Sequence, residues 1–143
     1  MMYAFTDGAC RVSNPGTCSC AFAIFDGEQL VVAASRYLGD EHTNNFAEYS
    51  GMIDCLEYAN EKGLDHLRIY CDSQLVVKQL LGEWKVKHAD VKPLYNLAYA
   101  LLQRGQHELV WIRGHEQAGT EEQRRGNTLV DKMCNDALDK EKY

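Results

Sequence analysis

The sequence has few prolines and no long apolar segment. Its 143 residues include only two prolines, which leaves little room for a disordered linker, and this length is typical of one domain. No apolar run approaches the roughly 18 residues that a membrane span requires. The first residues, MMYAFTDGA, lack the basic and apolar segments of a signal peptide. We therefore expect one domain over residues 1–143, in the cytoplasm and without membrane contact.

Cysteine is present, but not at the spacing of a metal site. The six cysteines form no C-x-x-C pair, and no histidines stand at the spacing that accompanies one in zinc sites. We therefore expect reduced and mostly buried thiols at all six positions, which are Cys10, Cys18, Cys20, Cys55, Cys71 and Cys134.

Positive charge is also scarce, because acidic residues outnumber basic ones and the net charge is −6. This balance argues against a nucleic-acid partner, since binding to phosphates draws its affinity from lysine and arginine. The objection weakens if several of the acids form a metal site, because bound cations reverse the local field.

The first 40 residues predict three antiparallel strands. The segment YAFTD alternates apolar and polar residues and ends at Asp7, followed by Gly8. After the loop RVSNPGT, two further alternating segments, CSCAFAIF and QLVVAASRYL, are joined by Asp26 and Gly27, a typical hairpin turn. Strands in this order form a meander.

Helices and strands then alternate. Thr43 can cap a helix that continues to about Lys62 and is followed by Gly63. Because strands separated by a helix pair in parallel, we predict an α/β fold with a mixed sheet flanked by helices. The later elements are the strand HLRIYCD, the helix SQLVVKQLLG, the helix VKPLYNLAYALLQ, the strand HELVWIR and the closing helix TLVDKMCNDALDKE.

Four acidic residues stand out in this pattern. Asp7 and Asp72 each end a strand, Glu48 shares a helical row with apolar residues, and Asp131 lies in the closing helix. Three of them have ordinary alternative explanations. Asp7 suits an Asp-Gly turn, Asp72 could cap the following helix, and Asp131 could complete a capping box with Thr128. Glu48 is harder to explain, because an unpaired buried carboxylate is costly.

Taken together, the acids favour a shared site. Ligands of open α/β sheets bind beyond the carboxyl ends of the strands, where Asp7 and Asp72 lie. Two carboxylates there repel each other unless cations lie between them, and Mg²⁺ commonly binds a few carboxylates plus substrate phosphate. The pattern therefore predicts a divalent-metal site for phosphodiester hydrolysis.

The motifs around these acids resemble those of type 1 ribonuclease H over nearly the whole chain. They are TDGA around Asp7, NPG at 14–16, TNNFAE ending at Glu48, YCDSQ around Asp72, W-x-R-G-H at 111–115 and GN-x-x-x-D ending at Asp131. The resemblance implies a five-stranded sheet of order 3-2-1-4-5. It also implies that the four acids hold two Mg²⁺ or Mn²⁺ ions and that the enzyme cuts the RNA strand of RNA/DNA hybrids, leaving 5′-phosphate and 3′-hydroxyl ends.

The resemblance implies further site residues. Asn14, Asn45 and Gln74 would contact the minor groove of the hybrid, where the 2′-hydroxyl distinguishes RNA from DNA. Thr43 and Asn45, with Asn44 between them, would hold a DNA phosphate at a helix N-terminus.

Two more positions follow from the same resemblance. His115 would assist proton movement or product departure, and residues 116–130 after it form a longer loop than many relatives have. Trp84 would stack on the DNA sugar face, with Lys85, Lys87 and Lys92 on phosphates, although a packed core position is an equal alternative for this tryptophan.

Two other functions remain open from the sequence. One is a non-catalytic module that binds hybrids or supports a larger assembly, and the other is a nuclease of the same fold that acts on other nucleic acids. The four retained acids argue against the first, and the NPG, TNN and DSQ contexts argue against the second. We expect the chain to act as a monomer.

Overall fold

Alternating side chains in the first 42 residues build an antiparallel meander, as predicted. The computed structural model describes residues 1–11, 15–113 and 119–141. Its first strands are β1 (Met2–Arg11), β2 (Gly16–Asp26) and β3 (Gln29–His42). The predicted end of β1 at Asp7 is wrong, because Asp7 and Gly8 stay paired with β2 and the strand continues to Arg11. The turn between β2 and β3 contains Gly27 at a φ of 62°, a left-handed conformation that glycine adopts without steric cost.

Two short strands extend this meander on the other side of β1. They are β4 (Arg68–Cys71) and β5 (Glu108–Trp111), and the sheet order is β3-β2-β1-β4-β5. β4 runs parallel to β1, and β5 runs parallel to β4. The predicted mixed sheet and its order are therefore confirmed.

Four helices flank the sheet in the described residues. They are α1 (Asn44–Glu61), α2 (Gln74–Leu80), α3 (Lys92–Gly105) and α4 (Glu121–Lys140). Thr43 caps α1 as expected, because its side chain accepts a hydrogen bond from the Phe46 amide at 3.1 Å. Gly63 follows the helix at a φ of 72° and ends it.

The closing helix corrects two predictions. α4 begins at Glu121, inside the segment that we expected to be a loop, and its capping box joins Thr120 to Gln123 instead of Thr128 to Asp131. The cap is local, since the Thr120 hydroxyl accepts from the Gln123 amide at 3.0 Å. Glu121 and Glu122 add favourable charge in the first turn.

The hydrophobic core lies on both faces of the sheet. One cluster packs α1, α2 and α3 against the sheet, around Ile24, Met52 and Ile69. The other packs α4 against the opposite face, around Phe5 and Val130. Helices on both faces explain why β2 is buried almost continuously from residue 18 to residue 25.

The cysteines correct the expectation of six reduced thiols. Cys20, Cys55, Cys71 and Cys134 are free and buried, as predicted. Cys10 and Cys18, however, form a disulfide. The reason is strand register, because the two residues are direct partners across β1 and β2, with Cα atoms 4.1 Å apart.

Within the described ranges, each helix is too short or too polar to cross a lipid bilayer.

Candidate functional site

Parallel pairing brings Asp7 and Asp72 to the same edge of the sheet. Thr6 of β1 is the register partner of Cys71 of β4, so each acid is the next residue on a neighbouring strand. The parallel pairing of β1 with β4 ends at this point, and ligands of such sheets bind in the crevice beyond it. The sheet therefore places these two carboxylates side by side.

Two glycines bring α1 close enough to add Glu48. A Cβ at Gly8 would overlap the backbone of Ala47 and Glu48, and a Cβ at Gly51 would overlap the Asp7 carbonyl oxygen. The helix backbone thus lies directly on β1, an approach that only glycine permits. This contact places Glu48 against Asp7.

The three carboxylates form one compact group. Asp7, Glu48 and Asp72 each contribute an oxygen, and these oxygens all lie within 4.8 Å of one another. Asp7 is only 4% exposed. Among the described residues, Glu48 Oε1 is buried and accepts no hydrogen bond. Such an oxygen is costly to bury unless a ligand completes its environment.

The electrostatics of the group are unfavourable without a positive ligand. Burial raises the pKa of Asp7 well above its usual value, and the charge of Asp72 raises it further. Burial also raises the pKa of Glu48, followed by the charges of Asp7 and Asp72. Like charges at this separation resist simultaneous ionisation, and a bound cation removes that penalty.

Asp131 lies near this group but not within it. Its charge contributes to the raised pKa of Asp7, yet the compact group of oxygens contains only the other three acids. Asp131 is partly buried in the middle of α4. The structure therefore brings three of the four predicted ligands together and leaves the fourth at the edge.

The donor set suits a hard divalent cation. Carboxylate oxygens are the ligands that Mg²⁺ and Mn²⁺ prefer, whereas zinc sites favour nitrogen and sulfur. Within the described residues, Glu48 Oε1 is buried and accepts no hydrogen bond, which is consistent with binding to such a cation. Asp7, Glu48 and Asp72 could therefore hold a metal ion.

Asp72 is not the N-cap residue of α2. The residue that caps α2 is Ser73, whose hydroxyl accepts a hydrogen bond from the Val76 amide at 3.3 Å. The carboxylate of Asp72 is instead a member of the compact group. The capping alternative for Asp72 is thus wrong.

The predicted substrate residues occupy helix starts beside this group. Thr43 caps α1, and Asn44 and Asn45 form its first turn. Gln74 is the first residue of α2 and is exposed, as is Asn44. These side chains lie at the N-termini of the two helices that adjoin the carboxylates. Two other predicted residues, Asn14 and His115, lie outside the described residues.

Trp84 is not a core residue. It is 44% exposed, which excludes the packed position that the sequence left open. Its side chain lines a cavity of about 530 Å³ together with Gln79, Lys85, Lys87 and His88, among others. This surface combines an aromatic ring with positive charge, as nucleic-acid contacts do.

Three supporting hydrogen bonds were not predicted from the sequence. The indole of Trp111 donates a hydrogen bond of 3.3 Å to the carbonyl oxygen of Asp72. The hydroxyl of Tyr49 donates to Gln79 Oε1 at 2.6 Å, and the Gln79 amide donates to the Lys85 carbonyl at 3.3 Å. Trp111 lies in the W-x-R-G-H motif, but the motif did not predict its hydrogen bond to Asp72. Tyr49 and Gln79 had no signal beyond helical position.

Comparison with known proteins identifies the family. The chain is 35% identical over 135 residues to a bifunctional protein of Mycobacterium tuberculosis, with 93% of this chain and 34% of that relative covered. It thus spans about one third of the length of that relative. It is also 32% identical to a ribonuclease H of Nitrosomonas eutropha, with 94% of this chain and 88% of the relative covered.

A solved structure has the same fold. The crystal structure of LC11 ribonuclease H1 in complex with an RNA/DNA hybrid matches with a TM-score of 0.84 and 27% identity, covering 100% of both chains. The RNase H family model matches residues 1–139. The chain therefore belongs to the RNase H family.

Proposed function

We propose that this chain is a metal-dependent endoribonuclease that hydrolyses the RNA strand of RNA/DNA hybrids. The observation that carries the proposal is the convergence of Asp7, Glu48 and Asp72. Membership of the RNase H family supports the same activity. Asp131, which acts electrostatically on Asp7, is the proposed fourth ligand.

The proposed site holds two Mg²⁺ or Mn²⁺ ions. When bound, two such ions would supply stabilisation of the attacking water and of the leaving oxygen, and the products would carry 5′-phosphate and 3′-hydroxyl ends. The chain itself holds Asp7 within β1 and packs Glu48 against it across Gly8. This packing fixes the ligands before substrate arrives and lowers the cost of organising the site.

The substrate side of the proposal rests on the two helix starts. Thr43 with Asn44 and Asn45 begins α1, and Gln74 begins α2. Helix N-termini attract phosphate, and neutral amides can read the 2′-hydroxyl in a minor groove. A hybrid is the ligand of the LC11 structure, which this chain resembles in fold. We assign Asn14 to the same surface.

Two further contacts complete the proposal. Trp84 would contact the sugar face of the DNA strand, with Lys85, Lys87 and Lys92 on its phosphates. The exposure of Trp84 and the lysines beside it in the cavity support this role. His115, which follows β5 in the sequence, would assist proton movement or product departure.

A substrate panel tests the activity. Labelled RNA/DNA hybrid, duplex DNA and duplex RNA are each incubated with Mg²⁺, Mn²⁺ or EDTA. We expect internal cuts in the RNA of the hybrid with either ion and none with EDTA. Asp7→Asn should abolish these cuts, whereas Asp26→Asn should not. Asp26 is the control because it is an exposed acid of the same hairpin, opposite Met2 and outside the carboxylate group.

The panel also separates the alternatives. Binding to the hybrid without metal and without cuts would indicate a non-catalytic module. Cuts in duplex DNA or duplex RNA, but not in the hybrid, would indicate a nuclease with another substrate. Wild-type activity in Asp7→Asn would contradict the assigned site.

A further inference from the structure

Arg11, the last residue of β1, holds the C-terminal half of α4. Its guanidinium forms an ion pair with Asp139. It also donates to Asn135 twice, to the backbone oxygen at 3.1 Å and to Oδ1 at 2.9 Å. One planar group thus contacts two successive turns of the helix, which the fork geometry of arginine allows.

The held residues lie in one row with Asp131. Positions 131, 135 and 139 are separated by four residues each, so they lie on the same face of α4. The side chain of Asn135 donates a hydrogen bond of 3.0 Å to the backbone oxygen of Asp131. A continuous path of hydrogen bonds therefore joins Arg11 to the turn that carries Asp131.

Arg11 also lies on the same strand as Asp7. These residues are four positions apart on β1, so their side chains lie on the same face of the strand. Four residues of a strand span about 13 Å, and the eight residues from 131 to 139 of a helix span about 12 Å. Gly126 lies against Phe5 and Asp139 against Arg11, so α4 runs in the same direction as β1. Asp7 therefore lies about level with Asp131.

We propose that Arg11 is a positioning residue that fixes where Asp131 lies along the direction of β1 and so completes the carboxylate site. A helix can slide along a sheet, and a slip of one turn would move Asp131 by about 5.4 Å relative to Asp7. The bonds from Arg11 to Asn135 and Asp139 oppose such a slip. This inference rests on the proposed function of the four acids as metal ligands.

The contacts of Arg11 differ from those of an ordinary surface pair. Isolated exposed ion pairs add little stability. The side chain of Arg11 is only 30% exposed, and its two bonds to Asn135 are partly buried. Arg68 provides a matched control, because its pair with Glu108 at 2.7 Å joins β4 and β5 at their starts, away from the carboxylates.

The test measures Mn²⁺ binding directly. Isothermal titration calorimetry with Mn²⁺ is performed on the wild type, Arg11→Met and Arg68→Met. Supporting partners of metal ligands typically change affinity by about 10- to 100-fold, and we expect about 10-fold weaker binding in Arg11→Met. Arg68→Met should bind like the wild type. Arg11→Lys, which keeps the charge but not the fork, should be intermediate.

Kinetics on the hybrid provide a second readout. In Arg11→Met, kcat should fall at low Mn²⁺ and recover at high Mn²⁺, while KM for the hybrid stays unchanged. If KM rose and Mn²⁺ affinity did not change, Arg11 would be a substrate contact and the inference would be wrong. Equal Mn²⁺ affinity in Arg11→Met and the wild type would overturn it as well.

A second variant covers a failure to fold. Asn135→Ala removes the hydrogen bond to Asp131 but keeps the ion pair between Arg11 and Asp139, and we expect it to weaken Mn²⁺ binding too. Unchanged affinity in this variant would overturn the inference. If the wild type itself binds no Mn²⁺, the proposed function fails, and that result is distinct from equal binding by wild type and variants.

Discussion

The backbone of Ala47 in α1 lies directly against Gly8 of β1, with no space for a side chain at that glycine. The neighbours of this contact are the carboxylates of Asp7 and Glu48, which belong to one compact group. A single backbone approach thus determines how closely two acids on different elements meet.

Gly8→Ala should separate the helix from the strand. Overpacking a tight contact costs about 1–3 kcal/mol, and we expect a loss of this size in urea unfolding. Mn²⁺ affinity should fall as well, because Glu48 moves away from Asp7. Gly63→Ala is the control, since Gly63 has a φ of 72° but no atom near its Cβ position. It should lose stability without losing Mn²⁺ affinity, and equal affinity in both variants would contradict the role of Gly8.

Asp7→Asn should stabilise the metal-free protein while abolishing activity. The pKa of Asp7 is raised by burial and by Asp72. The folded protein therefore keeps a proton that the unfolded chain releases. The stability linked to this proton is complete below about pH 4 and is lost as pH rises through the raised pKa.

Unfolding in EDTA measures this effect. At neutral pH, Asp7→Asn should gain roughly 1–3 kcal/mol, because the neutral amide avoids burying a charge beside Asp72 and can still accept the hydrogen bond from Gly8. Its stability should also vary less with pH than that of the wild type. A less stable Asp7→Asn protein would show that Asp7 has a structural role that outweighs the repulsion.

Trp84→Ala should weaken hybrid binding and leave stability nearly unchanged. The ring is 44% exposed, so its removal opens no cavity in the core. We expect KM for the hybrid to rise about 10-fold, which corresponds to roughly 1.4 kcal/mol. Leu97→Ala is the matched control because Leu97 is also 44% exposed, but lies on α3. A similar KM in both variants would remove Trp84 from the proposed substrate surface.

His107 should make the fold sensitive to mild acid. Its Nδ1 accepts from the Leu67 amide at 3.0 Å, and its Nε2 lies 2.9 Å from Asn60 Oδ1, so the neutral ring fits this environment. Burial lowers the pKa of His107; among nearby charges, Asp65 opposes this shift and His66 adds to it. Its contribution to stability is complete above about pH 6.5 and is lost as pH falls through the lowered pKa.

Urea unfolding between pH 5 and pH 7.5 measures this slope. One additional proton on unfolding changes stability by up to about 1.4 kcal/mol per pH unit. His107→Gln should remove that component, whereas His88→Gln, at an exposed position, should not. An unchanged slope in His107→Gln would contradict the prediction.

Reduction of the disulfide between Cys10 and Cys18 should destabilise the fold. The bond closes a short loop with a sequence separation of 8, for which the loop-closure relation gives about 2.5 kcal/mol. Unfolding with and without dithiothreitol measures this difference, and Cys10→Ser should abolish the response to the reductant. Alkylation of Cys10 and Cys18 before reduction, detected by mass spectrometry, would show that the pair is open.

The sequence by itself was sufficient for the elements and most of the site. Alternation predicted five strands, although β1 continues to Arg11 past its predicted end at Asp7. Thr43 and Gly63 predicted both ends of α1, because such signals act between neighbouring residues. The motifs around Asp7, Glu48 and Asp72 predicted the three acids that meet. Local patterns did not predict the start of α4. The helix begins at Glu121, after a capping box of Thr120 and Gln123, whereas the sequence offered a capping box of Thr128 and Asp131.

Only the tertiary structure decided how these parts meet. The disulfide depends on the register of β1 and β2. The exposure of Trp84 depends on the packing of the segment between α2 and α3. The position of Asp131 at the edge of the carboxylate group depends on where α4 packs. The bonds of Arg11 to Asn135 and Asp139 join residues more than 120 positions apart. No local pattern contains such distances, because they result from packing α4, near one end of the sequence, against β1 at the other.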